Sequence, residues 1–414
     1  MNQRHTTSLA IALSILCPAL ALAQPSGTTK SDVKAAEIPD AKYVDVVTEQ
    51  GQHAAGLYIT GPFAQLKGPE GVARTIKKAG LNAAVIDMKD GAGRVTYDTK
   101  IPILQEQRTP FIHDLPGYLR ALKSKGIYTI ARIVCFADPK LPARHPELAI
   151  QHSVRKNPWV SWGTGGTWLD PYNTKNHDMI VELAKEAAAA GFDEIQLDYI
   201  RFPVDDGIKY AEFPSKQADD ARERWQVLLP LLARIDEAVK IPLGADVFGL
   251  TAFNFGDDTV LGQRLHEWTR HIEVFSPMLY LYAMRSWARG NDNRAFGLLY
   301  TGISQMRARV GPTPVIRPFV QAFVKSGDDV GTTFVSDEVR GAKSGGADGV
   351  LFWHPGSNYK MLFQGMNVEA KSLVPFDTTE RSRARSEMWK RVSGSSQKTS
   401  VAGTKSDRDG AHTK

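Results

Sequence analysis

Several short apolar runs in this 414-residue chain end in polar side chains that a buried strand carries only for a reason. Residues 194–202, EIQLDYIRF, hold Asp198 among Ile, Leu and Tyr, with Arg201 three residues on. A carboxylate in such a run is costly to bury, so it has either a partner or a task. Residues 242–249, PLGADVFG, supply Asp246, and residues 83–90, AAVIDMKD, supply Asp87, Lys89 and Asp90. Tyr280, Gln321 and Trp353 stand at the ends of three further runs, 274–280, 315–323 and 349–354. Carboxylates on neighbouring strand ends suit cleavage of a glycosidic bond. One attacks or activates water, and the other, protonated, gives a proton to the leaving oxygen. In that chemistry Asp198 and Asp246 are the candidate carboxylates, with Asp87 in reserve. Lys89 and Arg201 are the expected orienting cations, with Asp90, Asp170, Tyr280, Gln321, Trp353 and Trp168 as substrate contacts. The competing reading of Asp198 is a structural ion pair with Arg201 or Lys89.

Strand alternation puts residues two apart on one face, which pairs Gln196 with Asp198 and Asp87 with Lys89. The long stretch 137–176 carries Trp159, Trp162 and Trp168, then Asp170. Those rings can form flat platforms for sugar or a satellite hydrophobic cluster. Asp170 can contact a ligand or fix the turn into the next helix.

The elements that must position these groups alternate. Strand-type runs at 56–60, 83–90, 128–136, 194–202, 242–249, 274–280, 315–323 and 349–354 are separated by helical patterns. The helices are expected at 71–79, 115–124, 175–190, 218–239, 261–270, 295–310 and 337–343. Several end at glycine, the residue that stops a helix in the left-handed conformation. Eight strands alternating with helices predict an α/β fold with a parallel sheet closed as a (β/α)₈ TIM barrel, whose polar strand ends gather at one mouth. An open doubly wound sheet would show a glycine-rich phosphate turn after its first strand. Here that turn is Thr60-Gly61-Pro62-Phe63.

The net charge of +6 does not describe a nucleic-acid face. Nine basic against four acidic residues lie in 378–414, and the middle of the chain is neutral. Residues 377–414 are read as a basic, disordered tail and 24–50 as a linker. The barrel is placed at 51–376. Residues 1–23 read as a signal peptide. Arg4 precedes an apolar run, Ser8 to Leu22, that closes on Ala21-Leu22-Ala23. The run is short for a membrane span. The expected location is therefore periplasmic or secreted, with no stable span after cleavage. Cys17 departs with the leader, so Cys135 alone remains and no intrachain disulfide forms. No phosphate-binding loop, nucleophile elbow or Cys-pair metal motif occurs, and no cofactor is expected.

Segments 85–99 (VIDMKDGAGRVTYDT), 168–173 (WLDPYN), 191–203 (GFDEIQLDYIRFP), 244–249 (GADVFG) and 276–280 (SPMLY) resemble a bacterial glycoside hydrolase domain family first catalogued as a domain of unknown function. The resemblance spans roughly residues 51–365 and implies a TIM-barrel glycosidase without naming its sugar. Residues 192–198 also resemble the fourth-strand motif of chitinase-type barrels, but Ile200 stands where that family has its catalytic glutamate. An isoleucine cannot protonate a glycosidic oxygen. The amylase and α-galactosidase barrels are a better likeness, and they imply Asp198 as nucleophile and Asp246 as acid/base. The combined expectation is an exported hydrolase of envelope or extracellular polysaccharide. The alternative is a barrel that binds carbohydrate without cutting it.

Overall fold

Runs of Val, Ile, Leu and Ala form strands where both faces are covered, one by helices and one by the opposite wall of the sheet. The computed structural model describes residues 46–376, apart from 162, 164, 206, 254–256, 286–287, 289–292, 326–330, 332, 367–370 and 372–375. The leader expected at 1–23, the tail at 377–414 and Trp162 lie outside the described residues. Eleven strands occur among those described: β1 (Ala55–Ile59), β2 (Ala83–Lys89), β3 (Tyr128–Val134), β4 (Gln151–His152), β5 (Glu194–Asp198), β6 (Ala211–Glu212), β7 (Leu243–Val247), β8 (Val274–Pro277), β9 (Val315–Ile316), β10 (Phe319–Gln321) and β11 (Val350–Trp353). Nine of them make one parallel sheet in the order β10-β11-β1-β2-β3-β5-β7-β8-β9. β4 and β6 form a separate antiparallel clip between two loops.

The sheet closes through residues 315–321. On one side Arg317 N donates to Phe275 O at 2.9 Å and Leu279 N to Phe319 O at 3.0 Å. On the other, Asp348 N donates to Ile316 O at 2.7 Å and Leu351 N to Pro318 O at 2.9 Å. The single seventh strand expected from sequence is thus two pieces. Pro318 has no N–H and interrupts the ladder between them. Counted around the ring, the strands occupy eight positions, as a TIM barrel requires.

Helices Gly61–Lys78, Leu115–Lys123, Thr174–Ala190, Arg224–Ala238, Arg294–Val310 and Phe334–Gly345 follow or precede the strands. Asn173 caps Thr174–Ala190 through its side chain, and Gly191 ends it at φ 98°. The helix expected at 261–270 is instead two short ones, Asp257–Leu261 and Leu265–Trp268. Gly262, at φ 79°, breaks it.

Alternation sorts the buried residues. Ile195 and Leu197 of β5 join the large cluster beneath the helices, with Ile86, Ile133, Ala245 and Phe352. Tyr58, Val85, Tyr128, Ile130 and Phe319 fill the barrel interior. The inward residues of β5 are Glu194, Gln196 and Asp198, so the barrel axis carries polar groups at three levels. At the bottom, Arg317 makes a bidentate pair with Glu194, 3.0 and 3.2 Å, and also donates to Gly51 O at 2.6 Å. Tyr128 Oη adds a hydrogen bond to Glu194 at 3.1 Å. In the middle, Gln196 Nε2 donates to Ser276 Oγ at 2.8 Å. The third level is the mouth.

Two expectations follow for stability. Arg317 and Glu194 are both fully buried, so Arg317→Met strands a carboxylate in the barrel and should lower unfolding free energy by about 3–5 kcal/mol. Urea unfolding would check this, and adding Glu194→Leu should recover most of the loss. Glu273 accepts from Leu243 N at 2.8 Å, yet burial raises its pKa from 4.5 to about 7. A raised carboxyl pKa stabilises the fold fully below pH 4.5, and that contribution is lost as pH rises through 7. Glu273→Gln should therefore lose less stability than the native chain between pH 4.5 and 8. The difference is roughly 3 kcal/mol at 1.36 kcal/mol per unit, read from melting curves at both pH values.

Candidate active site

Charged residues from four strands meet at the C-terminal end of the barrel, around Arg132 of β3. Its Nη1 lies 2.5 Å from Asp87 Oδ1, and its Nη2 and Nε lie 2.5 and 3.0 Å from Asp198 Oδ2. Burial works against the guanidinium charge, and the Asp198 and Asp87 carboxylates outweigh it. The register of the sheet makes this possible, because Asp87 pairs with Arg132 and Val134 with Asp198 along neighbouring strands. Tyr58 of β1 completes the group. Its hydroxyl donates to Asp87 Oδ2 at 2.6 Å, and its ring lies 5.3 Å from the Arg132 guanidinium. Burial raises the Asp87 pKa to about 6, with Arg132 opposing the rise.

Asp246 of β7 differs from both. Its Oδ2 is 3.9 Å from Arg132 Nε, too far for a hydrogen bond, and neither oxygen has a hydrogen-bond partner. Burial first, and the nearby Asp198 charge second, push its pKa well above the usual carboxylate range. Both causes favour the neutral form of Asp246, beside an ion-paired carboxylate. Arg132 Nε lies 3.0 Å from Asp198 Oδ2 and 3.9 Å from Asp246 Oδ2, so those two oxygens are at most 6.9 Å apart, the two legs end to end.

Asp198 ends its strand abruptly. The expected strand 194–202 stops there because Tyr199 turns to φ 51°. A left-handed non-glycine residue is strained, and such strain clusters at functional positions. The turn gives Tyr199 N to Asp198 Oδ1 at 2.6 Å and brings Arg201 to the pocket wall. The pocket is lined by Arg132, Asp198, Asp246 and Arg201 on its polar side. Phe248, Tyr280, Tyr282 and Trp353 contribute to its aromatic side. Tyr280 packs on Trp353 with ring centroids 5.2 Å apart.

The sequence-predicted residues divide. Asp198, Asp246, Arg201, Tyr280 and Trp353 line the pocket, and Asp87 reaches it through Arg132. Lys89 does not. The ladder slips between Asp87 and Lys89, so Lys89 pairs with Ile133 and turns to the opposite face from Asp87. There it is fully buried against Asp138 at 3.0 Å and Val134 O at 3.0 Å. Simple alternation fails at this bulge. Asp90 folds its own turn, accepting from Ala92 N and Arg94 N and pairing with Arg94. Asp170 accepts from Tyr172 N and Ser215 N, both at 2.9 Å, and joins two loops. Gln321 accepts from Tyr282 N and donates to Phe323 O, which holds the neighbouring loop. Trp168 is fully buried behind Arg201, and Trp159 is packed in the core with its Nε1 on Gly207 O.

Sequence reasoning missed Arg132 and Tyr58. The signal for Arg132 was present, since YTIARIV places a charge within an apolar strand as plainly as EIQLD does. Among the described residues, no three His, Cys, Asp or Glu side chains form a cradle for a metal ion.

Comparison with known proteins agrees with this architecture. Residues 56–359 match a family model described as "Putative glycosyl hydrolase domain". A hypothetical protein from Ruminiclostridium thermocellum ATCC 27405 is 34% identical over 46% of this chain and 97% of its own, with a TM-score of 0.40. The PgaB (BpsB) glycoside hydrolase domain from Bordetella bronchiseptica shares the fold at 14% identity and a TM-score of 0.54, over 77% of this chain and 97% of its own. An α-galactosidase from Thermus thermophilus aligns at 12% identity and a TM-score of 0.45, over 78% of this chain and 64% of its own. No functionally curated protein matches the sequence. The match over residues 56–359 spans most of the barrel, and the chain belongs to this family of glycosyl hydrolase domains.

Proposed function

We propose that the protein hydrolyses a glycosidic bond with retention, using Asp198 as nucleophile and Asp246 as acid and then base. The observation that carries this is the pairing of a neutral, unclaimed carboxyl with an Arg-bound carboxylate in one pocket. The Asp198 and Asp246 oxygens nearest Arg132 lie no more than 6.9 Å apart, a bound compatible with the separation of about 5–5.5 Å that retention uses. In the first step an Asp198 oxygen bonds to the anomeric carbon, the carbon–oxygen bond to the leaving sugar breaks, and the Asp246 proton passes to that oxygen. In the second, Asp246 takes a proton from water, the water oxygen bonds to the anomeric carbon, and Asp198 is released. Arg132 and Tyr58 are positioning residues: Arg132 holds Asp198 and Asp87 in place, and Tyr58 fixes Asp87. Tyr280 and Trp353 offer rings on which a sugar face can lie.

Two assays test the reading. Asp198→Asn should reduce release of new reducing ends by about 10³-fold or more, the scale seen when a catalytic unit is broken, and the product should form first as the substrate's own anomer by NMR. An inverted first product would rule out Asp198 as nucleophile. Activity should also fall as pH rises through the elevated Asp246 pKa, because the acid loses its proton. Asp246→Asn should erase that falling limb and harm aryl glycosides with good leaving groups less than natural glycans.

We further propose that the enzyme works outside the cytoplasm on an extracellular or envelope polysaccharide, a reading supported by the leader-like residues 1–23. N-terminal sequencing of protein recovered from the cell exterior or periplasm should begin at Gln24. An unprocessed Met1 in the cytoplasm would count against it.

A further inference from the structure

Four Lys or Arg side chains are buried among the described residues: Lys89, Arg132, Arg201 and Arg317. Three of them have carboxylate partners. Lys89 has Asp138, Arg132 has Asp87 and Asp198, and Arg317 has Glu194. Arg201 has none, although it is only 5% exposed. Its one hydrogen bond runs from Nη1 to Phe202 O at 3.0 Å, a carbonyl of its own turn. Asp205, a nearby carboxylate in sequence, is engaged by the Ser161 hydroxyl at 2.7 Å.

What surrounds the guanidinium is aromatic. Trp168, Tyr199 and Phe248 place ring centroids 4.9, 5.4 and 5.2 Å from it. Rings over the faces of a guanidinium keep its charge and fix its plane. They offer nothing to its in-plane N–H groups. The Nε and Nη2 donors form the edge that matches a carboxylate with two parallel hydrogen bonds, and Arg201 stands on the pocket wall beside Asp198. A buried cation without a counter-charge is unfavourable unless one arrives.

We propose that Arg201 receives a carboxylate carried by the substrate, so that the pocket selects a uronic acid residue over its neutral counterpart. This rests on the glycosidase reading above. A planar carboxylate supplies Arg201 with the counter-charge that the other three buried cations among the described residues already have. Trp168, although itself away from the pocket lining, acts through Arg201 by stacking behind it.

The experiment compares uronic acid oligosaccharides with the same oligosaccharides after carboxyl reduction, which removes only the charge. A sulfated neutral set serves as a third arm. Cleavage is measured with the full chain, and binding is measured calorimetrically with Asp198→Asn, so that affinity is read even without turnover. The acidic oligosaccharide should be preferred by roughly 10-fold to 100-fold, the range for hydrogen bonds to a charged group. Arg201→Gln should bring that ratio toward one, with folding checked by circular dichroism, and Arg201→Lys should restore part of it. Equal or better handling of the reduced set by the native chain overturns the assignment while leaving the hydrolase reading intact. A preference for the sulfated set also overturns it. An acidic preference in binding that depends on Arg201, with no bond cleaved, upholds the assignment and overturns the hydrolase reading.

Discussion

One buried guanidinium organises the mouth of this barrel. Arg132 bonds directly to Asp87 and Asp198 and lies within 4 Å of Asp246. Without it, three carboxyl groups from three strands, all buried, would face one another. With it, each has a different character: Asp198 is doubly bonded to the cation, Asp87 is shared with Tyr58, and Asp246 is left without a hydrogen-bond partner. Carboxyl groups of one residue type thus meet three different surroundings in one mouth: burial and the Asp198 charge favour the neutral form of Asp246, while Arg132 opposes that rise and bonds directly to the other two.

The arrangement has a structural price, because a TIM barrel interior is ordinarily packed with bulky branched residues. Here β5 sends Glu194, Gln196 and Asp198 inward, and each needs its own partner. Arg317 answers Glu194, Ser276 answers Gln196 and Arg132 answers Asp198. Arg317 sits in the dipeptide that divides β9 from β10, so the break in the seventh strand coincides with the residue that neutralises the bottom level. A small residue makes room at the bottom level, where a Cβ on Gly51 would lie 2.6 Å from the Tyr128 hydroxyl that bonds Glu194.

Much of this was legible in the sequence. The eight strand positions are readable because buried parallel strands are short apolar runs with helices between them. EIQLD shows polar residues at every second place, which fixes the inward face of β5 from the text alone. The pattern fails where local geometry departs from simple alternation. The bulge at Asp87 to Lys89 turns Lys89 outward, and the left-handed Tyr199 ends β5 four residues early. Asp90 and Asp170 carry the residue type of a ligand contact, but their oxygens are spent on backbone N–H groups and, for Asp90, on the Arg94 guanidinium. The partner of a buried carboxylate also has no fixed sequence distance. Arg132 and Asp198 are 66 residues apart, so only the closed sheet reveals that they touch.

The bottom of the barrel has one more property. Val47 packs against Val274 and Val315, at the starts of β8 and β9. At the other end of the described chain, Phe376 lies under Lys343, near the end of the helix Phe334–Gly345 that leads down to the start of β11. Val47 and Phe376 therefore both lie at the face opposite Arg132. A cargo attached directly beside Val47 or Phe376 would meet the barrel at its base, away from the mouth. A barrel held by its base in this way meets a long polymer head-on.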